Sequence, residues 1–452
     1  MPSVPSSPPA TVAPARRCAY TVLRRVFEQG AYADRALAAE AAQLDPRDRA
    51  LAMRLAYGAV QRKGTLDHLI ERLAARPASA LDPPLLAALR LGLYELLYLR
   101  GAPDYAVVAD AVELAKTKTP PARAGHGLVN AVLRRAAREQ PDALLATLAD
   151  DTPQHAAIEH SHPEWIARLW WESLGPEQAR ALMAADNEPS EVALRANTLV
   201  TDAAALAGEL PVRTHRDPAI PEALVLDEPF DAHGSPLWRQ GAFHAQSRAA
   251  MLVARVLAPA PGERVLDLCA APGGKTTHLA ALMRGRGEVL AVERNPRRAG
   301  ALVRTAQRLH AANVRVEVAD AELERPEGPA FDRVLVDPPC SGLGTLQARA
   351  DLRWRVTPEA IDEMAGIQAR ILAAGAGAVR PGGVLVYSTC TISPTENERL
   401  IAAFLDSHPE FGLDDLAGTA GAQAAAGAPG MLQTLPHRDR TAGFFIARLR
   451  RS

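Results

Sequence analysis

The sequence is poor in cysteine and has no long uninterrupted apolar run. Four cysteines in 452 residues are too few for a disulfide framework, which favours a reducing, cytoplasmic setting. No run approaches the roughly 18 apolar residues of a membrane span, so we expect no membrane association. Residues 1–15 include five prolines and no charged side chain. They lack the basic start and apolar core of a signal peptide, and we predict a flexible tail there.

Lysine is scarce as well. Only four of the 51 basic residues are lysines, so a lysine at a particular site, such as Lys275, is informative. The formal net charge of −1 conceals an asymmetry, because residues 1–150 carry +5 and the remainder carries −6. A mildly basic amino-terminal part can contact nucleic acid, although a surplus of this size is also common on an ordinary solvated surface.

The chain reads as three segments after the tail. Over residues 16–145, apolar positions recur every three or four residues between glycine and proline breaks, which predicts a bundle of five or more helices. Residues 146–240 mix helices with a strand and predict a linker and a small α/β domain. From 241 to 452, compact apolar strands alternate with helices, which predicts a parallel sheet covered on both faces. The closing apolar stretch, 441–449, suits an antiparallel edge strand.

Three histidines, His155, His160 and His162, cluster in the linker segment. A metal site there would need further ligands, and no cysteine or second ligand cluster lies nearby. We therefore expect no metal at this place and interpret the cluster as a solvent-facing turn.

The first strand of the last segment runs into a glycine-rich loop, Asp267-Leu-Cys-Ala-Ala-Pro-Gly-Gly-Lys275-Thr-Thr. Glycines let a ligand approach the backbone, but Cys269 occupies the first glycine position of a triphosphate-binding loop, which argues against a triphosphate. Glu293 and Asp320 follow the next two strands. Glu293 can accept hydrogen bonds from both ribose hydroxyls, and Asp320 is placed to meet an adenine or another edge. These acids suit a neutral or cationic nucleoside such as S-adenosylmethionine.

The fourth and fifth strands end in cysteine-containing turns, Asp337-Pro-Pro-Cys340 and Ser388-Thr-Cys390. Either cysteine alone could be a small buried apolar side chain, but two in turns at neighbouring strand ends favour a reactive pair. A thiolate that adds to carbon 6 of cytosine makes carbon 5 nucleophilic toward a methyl donor, and Asp337 could stabilise the adduct. The spacing leaves open which cysteine attacks, and no cation lies near Cys390 in sequence.

The motifs CAAPGGKT, DPPCSG and YSTCT, in this order and on these strands, resemble the RNA (cytosine-5) methyltransferases of the Sun/Fmu (RsmB) type. The helical stretches RLAYGAVQRKGTLD, LRLGLYELLYL and GLVNAVLRR resemble the antitermination factor NusB. Together these resemblances cover residues 16–452. They imply a NusB-like bundle, a small linker domain and a Rossmann-like class I methyltransferase domain. The implied activity is S-adenosylmethionine-dependent methylation of carbon 5 of a cytosine in 16S rRNA, namely cytosine 967, in free rRNA or in an early small-subunit particle.

The same resemblance implies roles for individual residues. Cys390 matches the attacking cysteine, Cys340 the cysteine that assists product release, and Asp337 the acid that contacts the base beside the donor. The positions that match the donor pocket are Cys269, Ala270, Ala271, Pro272, Gly273, Gly274, Lys275, Glu293, Arg298, Asp320 and Asp337. No metal and no obligate protein partner are implied. The chain departs from the family pattern at Gln347-Ala348, Ser247 and Ala442, where we expect differences in how the RNA substrate is bound.

Two alternatives remain at this stage. The same chemistry could act on another RNA such as tRNA, or on DNA, where the cysteine that follows the proline would be the nucleophile. The chain could instead be a non-catalytic RNA-binding factor in ribosome assembly. Both cysteines, Asp337 and the complete donor loop argue against a non-catalytic protein, and separate replacement of Cys340 and Cys390 would identify the nucleophile.

Overall fold

The computed structural model describes residues 12–99, 101–116, 125–323, 325, 328–416 and 429–452. Most of the predicted tail lies outside these ranges, and the first helix begins at Pro14. The chain divides into two compact units. One comprises Met1–Glu188 with Leu346–Arg355, and the other comprises Pro189–Thr345 with Val356–Ser452.

The first unit is helical, which confirms the predicted bundle. Its first helix turns its apolar face inward, including Cys18, and ends at Gly30, whose φ of 66° is left-handed. The fifth helix is buried along nearly its whole length, and its Glu95 is paired with Arg16 at 2.5 Å. The helices are α1 (Pro14–Gln29), α2 (Ala33–Glu40), α3 (Pro46–Gln61), α4 (Lys63–Ala74), α5 (Pro83–Tyr98), α6 (Asp104–Lys116), α7 (His126–Glu139), α8 (Pro141–Leu145), α9 (Pro153–Glu159), α10 (Glu164–Leu174) and α11 (Pro176–Ala185), with short 3-10 turns at Ala78–Ala80 and Ala350–Trp354.

The histidine cluster in this unit differs from the prediction. His155 is exposed, but the side chain of His162 is fully buried, with its Nε2 3.3 Å from Asp186 Oδ2. Burial raises the pKa of Asp186 to about 7 and lowers the pKa of His162 well below its ordinary value. Arg353 closes this polar core by donating to the carbonyl oxygens of Ser161 and Asp186. The prediction of a solvent-facing turn is therefore wrong for His162, which is a structural core residue.

The second unit begins with a small antiparallel sheet of strand order β2-β3-β1-β4. The predicted strand at 192–197 and the helix that follows it are both present. Glu222, directly before β3, forms an ion pair with Arg255 and a buried hydrogen bond with Nε2 of His278, and both contacts join β3 to the helices of the larger sheet. The elements are β1 (Ala193–Ala196), α12 (Ala203–Glu209), β2 (Thr214–Arg216), β3 (Ala223–Leu226), α13 (Pro236–Arg239) and β4 (Phe243–Ala245).

The larger sheet has the strand order β10-β12-β9-β8-β5-β6-β7, with β11 also paired to β12. Five adjacent strands, β5 to β9, are parallel, which confirms the predicted α/β domain. The elements are α14 (Arg248–Leu257), β5 (Arg264–Leu268), α15 (Gly274–Leu282), β6 (Glu288–Val292), α16 (Pro296–Arg308), β7 (Val314–Glu317), β8 (Phe331–Val336), α17 (Pro358–Ala378), β9 (Val379–Thr389), α18 (Glu398–Ser407), β10 (Phe411–Leu413), β11 (Met431–Gln433), α19 (Pro436–Asp439) and β12 (Phe445–Arg451), with a 3-10 turn at Leu343–Thr345.

The last strand, β12, is antiparallel as predicted but is not at an edge. It pairs with β9 on one side and with β10 and β11 on the other. The edge prediction is wrong because the two short strands that cover β12 carry too few residues to give a sequence signal. Across the described ranges, no helix combines the length and apolar character needed to cross a membrane.

The strand order places the switch point of the sheet between β5 and β8. The chain runs from β5 outward through β6 and β7, and then returns to the other side of β5 to form β8 and β9. In such sheets the loops at the carboxyl ends of the strands diverge at the switch point and leave a crevice. The glycine-rich loop after β5 and the two cysteine turns after β8 and β9 all open at this edge.

Candidate active site

The loop after β5 has the backbone that its glycines predict. Cys269 and Gly273 have φ values of 65° and 103°, and α15 starts at Gly274. The φ of Gly273 favours glycine, and a Cβ there would also lie 2.4 Å from Leu302 Cδ1. A cleft of about 430 Å³ opens beside the loop and is lined by predicted donor-site residues, namely Cys269, Ala270, Ala271, Pro272, Gly274, Lys275 and Asp337.

Acidic side chains surround this cleft. Asp267 is buried beneath it and accepts a hydrogen bond of 2.6 Å from Thr276 Oγ1. Burial raises the pKa of Asp267 to about 7. Burial, followed by the charges of Asp337, Asp267 and Glu293, raises the pKa of the Cys269 thiol to about 12. These acidic side chains suit a cationic group in the cleft, and Cys269 is a poor nucleophile.

Glu293 and Arg298 are connected to the same loop. Glu293 directly follows β6, is almost fully buried, and accepts a hydrogen bond from the backbone N–H of Asn295. Arg298 Nη2 lies 3.5 Å from Glu293 Oε2 and donates to the carbonyl oxygen of Ala271 at 2.8 Å. Asp320 is different, because it lies three residues beyond the end of β7, is exposed, and accepts from the N–H of Glu322.

Asp337, at the end of β8, is held on both carboxylate oxygens. Lys275 Nζ contacts Oδ2 at 2.6 Å, and Ser388 Oγ donates to Oδ1 at 2.7 Å. Burial alone lowers the pKa of Lys275, but Asp337 and then Cys390 favour the ammonium more strongly, so its pKa is raised. Lys275 is therefore a charged group that faces both Asp337 and Cys390.

The two predicted cysteines are in contact. The Sγ atoms of Cys340 and Cys390 lie 3.3 Å apart, and both cysteines are half-buried. Gly344 N–H donates to the carbonyl oxygen of Cys390, which joins the two turns through the backbone. The hydrogen bond to Cys390, together with burial, raises the pKa of Cys340 well above its ordinary value. Cys340 is therefore a protonated thiol near neutral pH.

Sequence reasoning missed several members of this site. The sequence predicts Lys275 only as part of the donor loop. In the structure it is also a cation that interacts electrostatically with Cys390, whose neighbours in the sequence include no cation. Ser388, two residues before Cys390, and the buried Glu396 were not singled out at all. The available signal for Lys275 was its rarity, because it is one of four lysines in an arginine-rich chain.

Comparison with known proteins assigns all three segments. Residues 254–450 match the family described as 16S rRNA methyltransferase RsmB/F. Residues 13–138 match the NusB family. Residues 162–233 match the ferredoxin-like domain of RsmF/B-like methyltransferases.

Similar proteins span nearly the whole chain. It is 36% identical to a probable ribosomal RNA small subunit methyltransferase B of Synechocystis, over 97% of this chain and 99% of that protein. It is 34% identical to the corresponding probable enzyme of Bacillus subtilis, over 90% and 92%. Among solved structures, PH0851 is 28% identical with a TM-score of 0.81, over 98% of this chain and 100% of the other. A methyltransferase homologue from Pyrococcus horikoshii is 29% identical with a TM-score of 0.59, over 67% and 100%. The chain belongs to the ribosomal RNA small subunit methyltransferase B family.

Proposed function

We propose that this methyltransferase transfers a methyl group from S-adenosylmethionine to carbon 5 of a cytosine in 16S rRNA, cytosine 967, through a covalent adduct with Cys390. The observation that carries the proposal is the contact between Cys340 and Cys390, with Sγ atoms 3.3 Å apart, beside the ion pair of Lys275 and Asp337. Such a pair suits a reaction that forms and then breaks a bond between sulfur and carbon 6, with one thiol to attack and the other to assist release.

The acids of the cleft support the choice of donor. S-adenosylmethionine carries a sulfonium cation, which suits the acidic side chains of Asp337, Asp267 and Glu293, whose charges add to burial in raising the pKa of Cys269. We propose that the loop from Cys269 to Lys275 holds the donor, with Glu293 and Asp320 as hydrogen-bond acceptors for its nucleoside. Arg298 then contributes indirectly to donor binding, because it contacts both Glu293 and the loop and so fixes the position of Glu293.

The chain's own residues account for the remaining steps. The ammonium of Lys275 favours the thiolate of Cys390, which adds to carbon 6 while Asp337 hydrogen-bonds the ring and stabilises the adduct. S-adenosylmethionine supplies the methyl group that carbon 5 takes up. The proton on carbon 5 then passes to solvent water, and the electron pair of that bond forms the double bond between carbons 5 and 6. The bond from carbon 6 to sulfur breaks with its electron pair returning to Cys390. Cys340, in contact with that sulfur, assists this release.

The RNA must present its cytosine unpaired. Attack on carbon 6 requires access to the face of the ring, so the target is a loop nucleotide or one turned out of its stack. We propose that the NusB-like bundle and the ferredoxin-like domain bind the surrounding rRNA, whether it is free or in an early small-subunit particle.

The test is methylation of unmodified 16S rRNA, free and in particles, by purified protein with labelled S-adenosylmethionine. We expect 5-methylcytosine at position 967 with the wild type and with Cys18→Ala, a control cysteine in the helical bundle. Cys390→Ala should abolish the label, and Cys340→Ala should accumulate RNA-linked protein. If the wild type binds both substrates without transferring methyl, a non-catalytic assembly factor replaces the proposal. Transfer to tRNA instead of rRNA would redefine the substrate.

A further inference from the structure

The two cysteine turns share one buried carboxylate, that of Glu396. Its side chain is fully buried in the turn that precedes α18. Glu396 Oε1 accepts from the backbone N–H of Ser341 at 2.8 Å, and Oε2 accepts from Ser341 Oγ at 2.5 Å. Ser341 Oγ also lies 2.6 Å from Thr391 Oγ1. Because Ser341 follows Cys340 and Thr391 follows Cys390, these bonds join the neighbours of both cysteines.

Two further buried side chains fix Glu396 from the opposite side. Gln368 Nε2 donates to Glu396 Oε1 at 3.0 Å and to the carbonyl oxygen of Pro339 at 2.9 Å. Tyr387 OH donates to the carbonyl oxygen of Glu396 at 2.7 Å. Each side chain of this network is fully or almost fully buried, so water cannot readily replace a lost partner. The network therefore holds the peptide on both sides of Cys340.

The chemistry of the partners explains why a carboxylate occupies this position. The backbone N–H of Ser341 and Nε2 of Gln368 can only donate, and both converge on one oxygen of Glu396. A carboxylate offers two acceptor oxygens with spare lone pairs, which matches these donors and the Ser341 hydroxyl. Glu396 also carries a negative charge close to Cys340, which opposes ionisation of that thiol.

We propose that Glu396 is a positioning residue for the two-cysteine reaction: it holds the Cys340 turn against the Cys390 turn so that one cytosine meets both thiols. This inference rests on the proposed function for its consequence in catalysis. The clamp itself is a property of the protein alone, and it can be tested without RNA.

The first test measures the proximity of the two thiols in the full-length protein. Dibromobimane becomes fluorescent when it bridges two neighbouring thiols, and peptide mapping distinguishes the pair Cys340–Cys390 from other pairs. We expect Glu396→Ala to lower the rate of this cross-link by about tenfold or more, because the Ser341 and Gln368 donors lose their buried acceptor. Glu398→Ala, an exposed neighbour, is the matched control and should react as the wild type does.

Glu396→Gln separates positioning from charge. Its carbonyl can still accept from Ser341 N–H and Gln368, while its amide can donate to Ser341 Oγ, whose proton can turn toward Thr391. We therefore expect a cross-linking rate within about threefold of the wild type. A wild-type rate in Glu396→Ala would overturn the proposal. If that variant does not unfold cooperatively on heating, Ser341→Ala takes its place, because it removes the hydroxyl that joins Glu396 Oε2 to Thr391 Oγ1. A smaller fall in rate is expected there, and a wild-type rate would overturn the proposal.

The second test follows methyl transfer to rRNA. A positioning role predicts that Glu396→Ala lowers kcat by about tenfold or more with little change in KM for rRNA, and that Glu396→Gln restores most of kcat. Equal loss in both variants would contradict positioning and point to the charge. If the wild type itself transfers no methyl group, the proposed function fails, whereas the cross-linking result still decides whether the clamp exists.

Discussion

Replacement of Lys275 by methionine is the perturbation with the most specific expected signature. Lys275 Nζ lies 2.6 Å from Asp337 Oδ2, and the two side chains are only 16% and 25% exposed. Lys275 also interacts electrostatically with Cys390, which raises the pKa of the lysine. The interaction is mutual, so the ammonium favours the thiolate of Cys390. Methionine has a similar length but no charge, and it removes this preference.

The magnitude follows from the charge of Lys275. An opposite charge within roughly 4–6 Å shifts an acid–base equilibrium by about 1–3 pH units, and we expect about 1–2 here because Lys275 is also paired with Asp337. Because the thiolate is the attacking species, each unit changes the rate of adduct formation about tenfold at pH values where the thiol is mostly protonated. We therefore expect Lys275→Met to form adduct about 10–100 times more slowly near neutral pH. Without the cation a more alkaline solution is needed for the same thiolate fraction, so the pH profile moves upward.

The assay uses the Cys340→Ala background, in which the adduct accumulates. The rate at which rRNA becomes linked to protein is measured between about pH 6 and pH 9, the range in which a perturbed thiol titrates. Lys275→Arg keeps the charge and is the matched control, with a profile close to that of the parent protein. If the profile of Lys275→Met coincides with that of the parent, the electrostatic argument is refuted.

Three further predictions concern the two units separately. Asp186, whose pKa is raised to about 7, contributes stability at low pH that is lost as the pH rises from about 4 to about 7. The melting temperature of Asp186→Asn should therefore increasingly exceed that of the wild type over this interval. The amide can still donate to His162, and a constant difference between the two melting curves would contradict the assignment. Arg353→Ala should destabilise the first unit by about 2–4 kcal/mol in denaturant titration, because two buried carbonyl oxygens and the half-buried Asn187 Oδ1 lose their donor. Arg353→Lys should not restore this stability. Gly344→Ala should abolish methyl transfer and lower the melting temperature, since its Cβ would lie 1.9 Å from the carbonyl oxygen of Gly443. Normal activity of this variant would show that the two cysteine turns tolerate separation.

The sequence predicted those parts of the site that depend on strand order. Cys340 and Cys390 were expected to face one substrate because their strands end side by side, and β8 and β9 are indeed paired in parallel. The glycine-rich loop was placed correctly for the same reason, at the end of β5. In these cases a local pattern fixes the element, and the rules of parallel sheets fix its neighbours.

The groups that sequence reasoning missed make their contacts with residues that are distant in the sequence. Lys275 reaches Asp337 and Cys390 from another loop, so inspection of the sequence around Cys390 could not find its cation. Glu396 stands just before a helix, where an acidic residue is ordinarily interpreted as a favourable first-turn charge. Its burial and its bonds to Ser341 depend on how two loops pack, which no spacing reveals. The burial of His162 was missed for a similar reason, because two helices separate it in the sequence from its partner Asp186.

The most direct test of the central claim is to trap the covalent intermediate and identify the linked cysteine. An RNA carrying 5-fluorocytosine at the target position would be incubated with the wild-type protein and S-adenosylmethionine. Fluorine on carbon 5 cannot leave as a proton does, so the adduct should persist after methyl transfer. We predict an RNA-linked peptide that contains Cys390, equally abundant in Cys18→Ala and absent in Cys390→Ala. Linkage through Cys340, or methyl transfer with no linked peptide, would contradict the account.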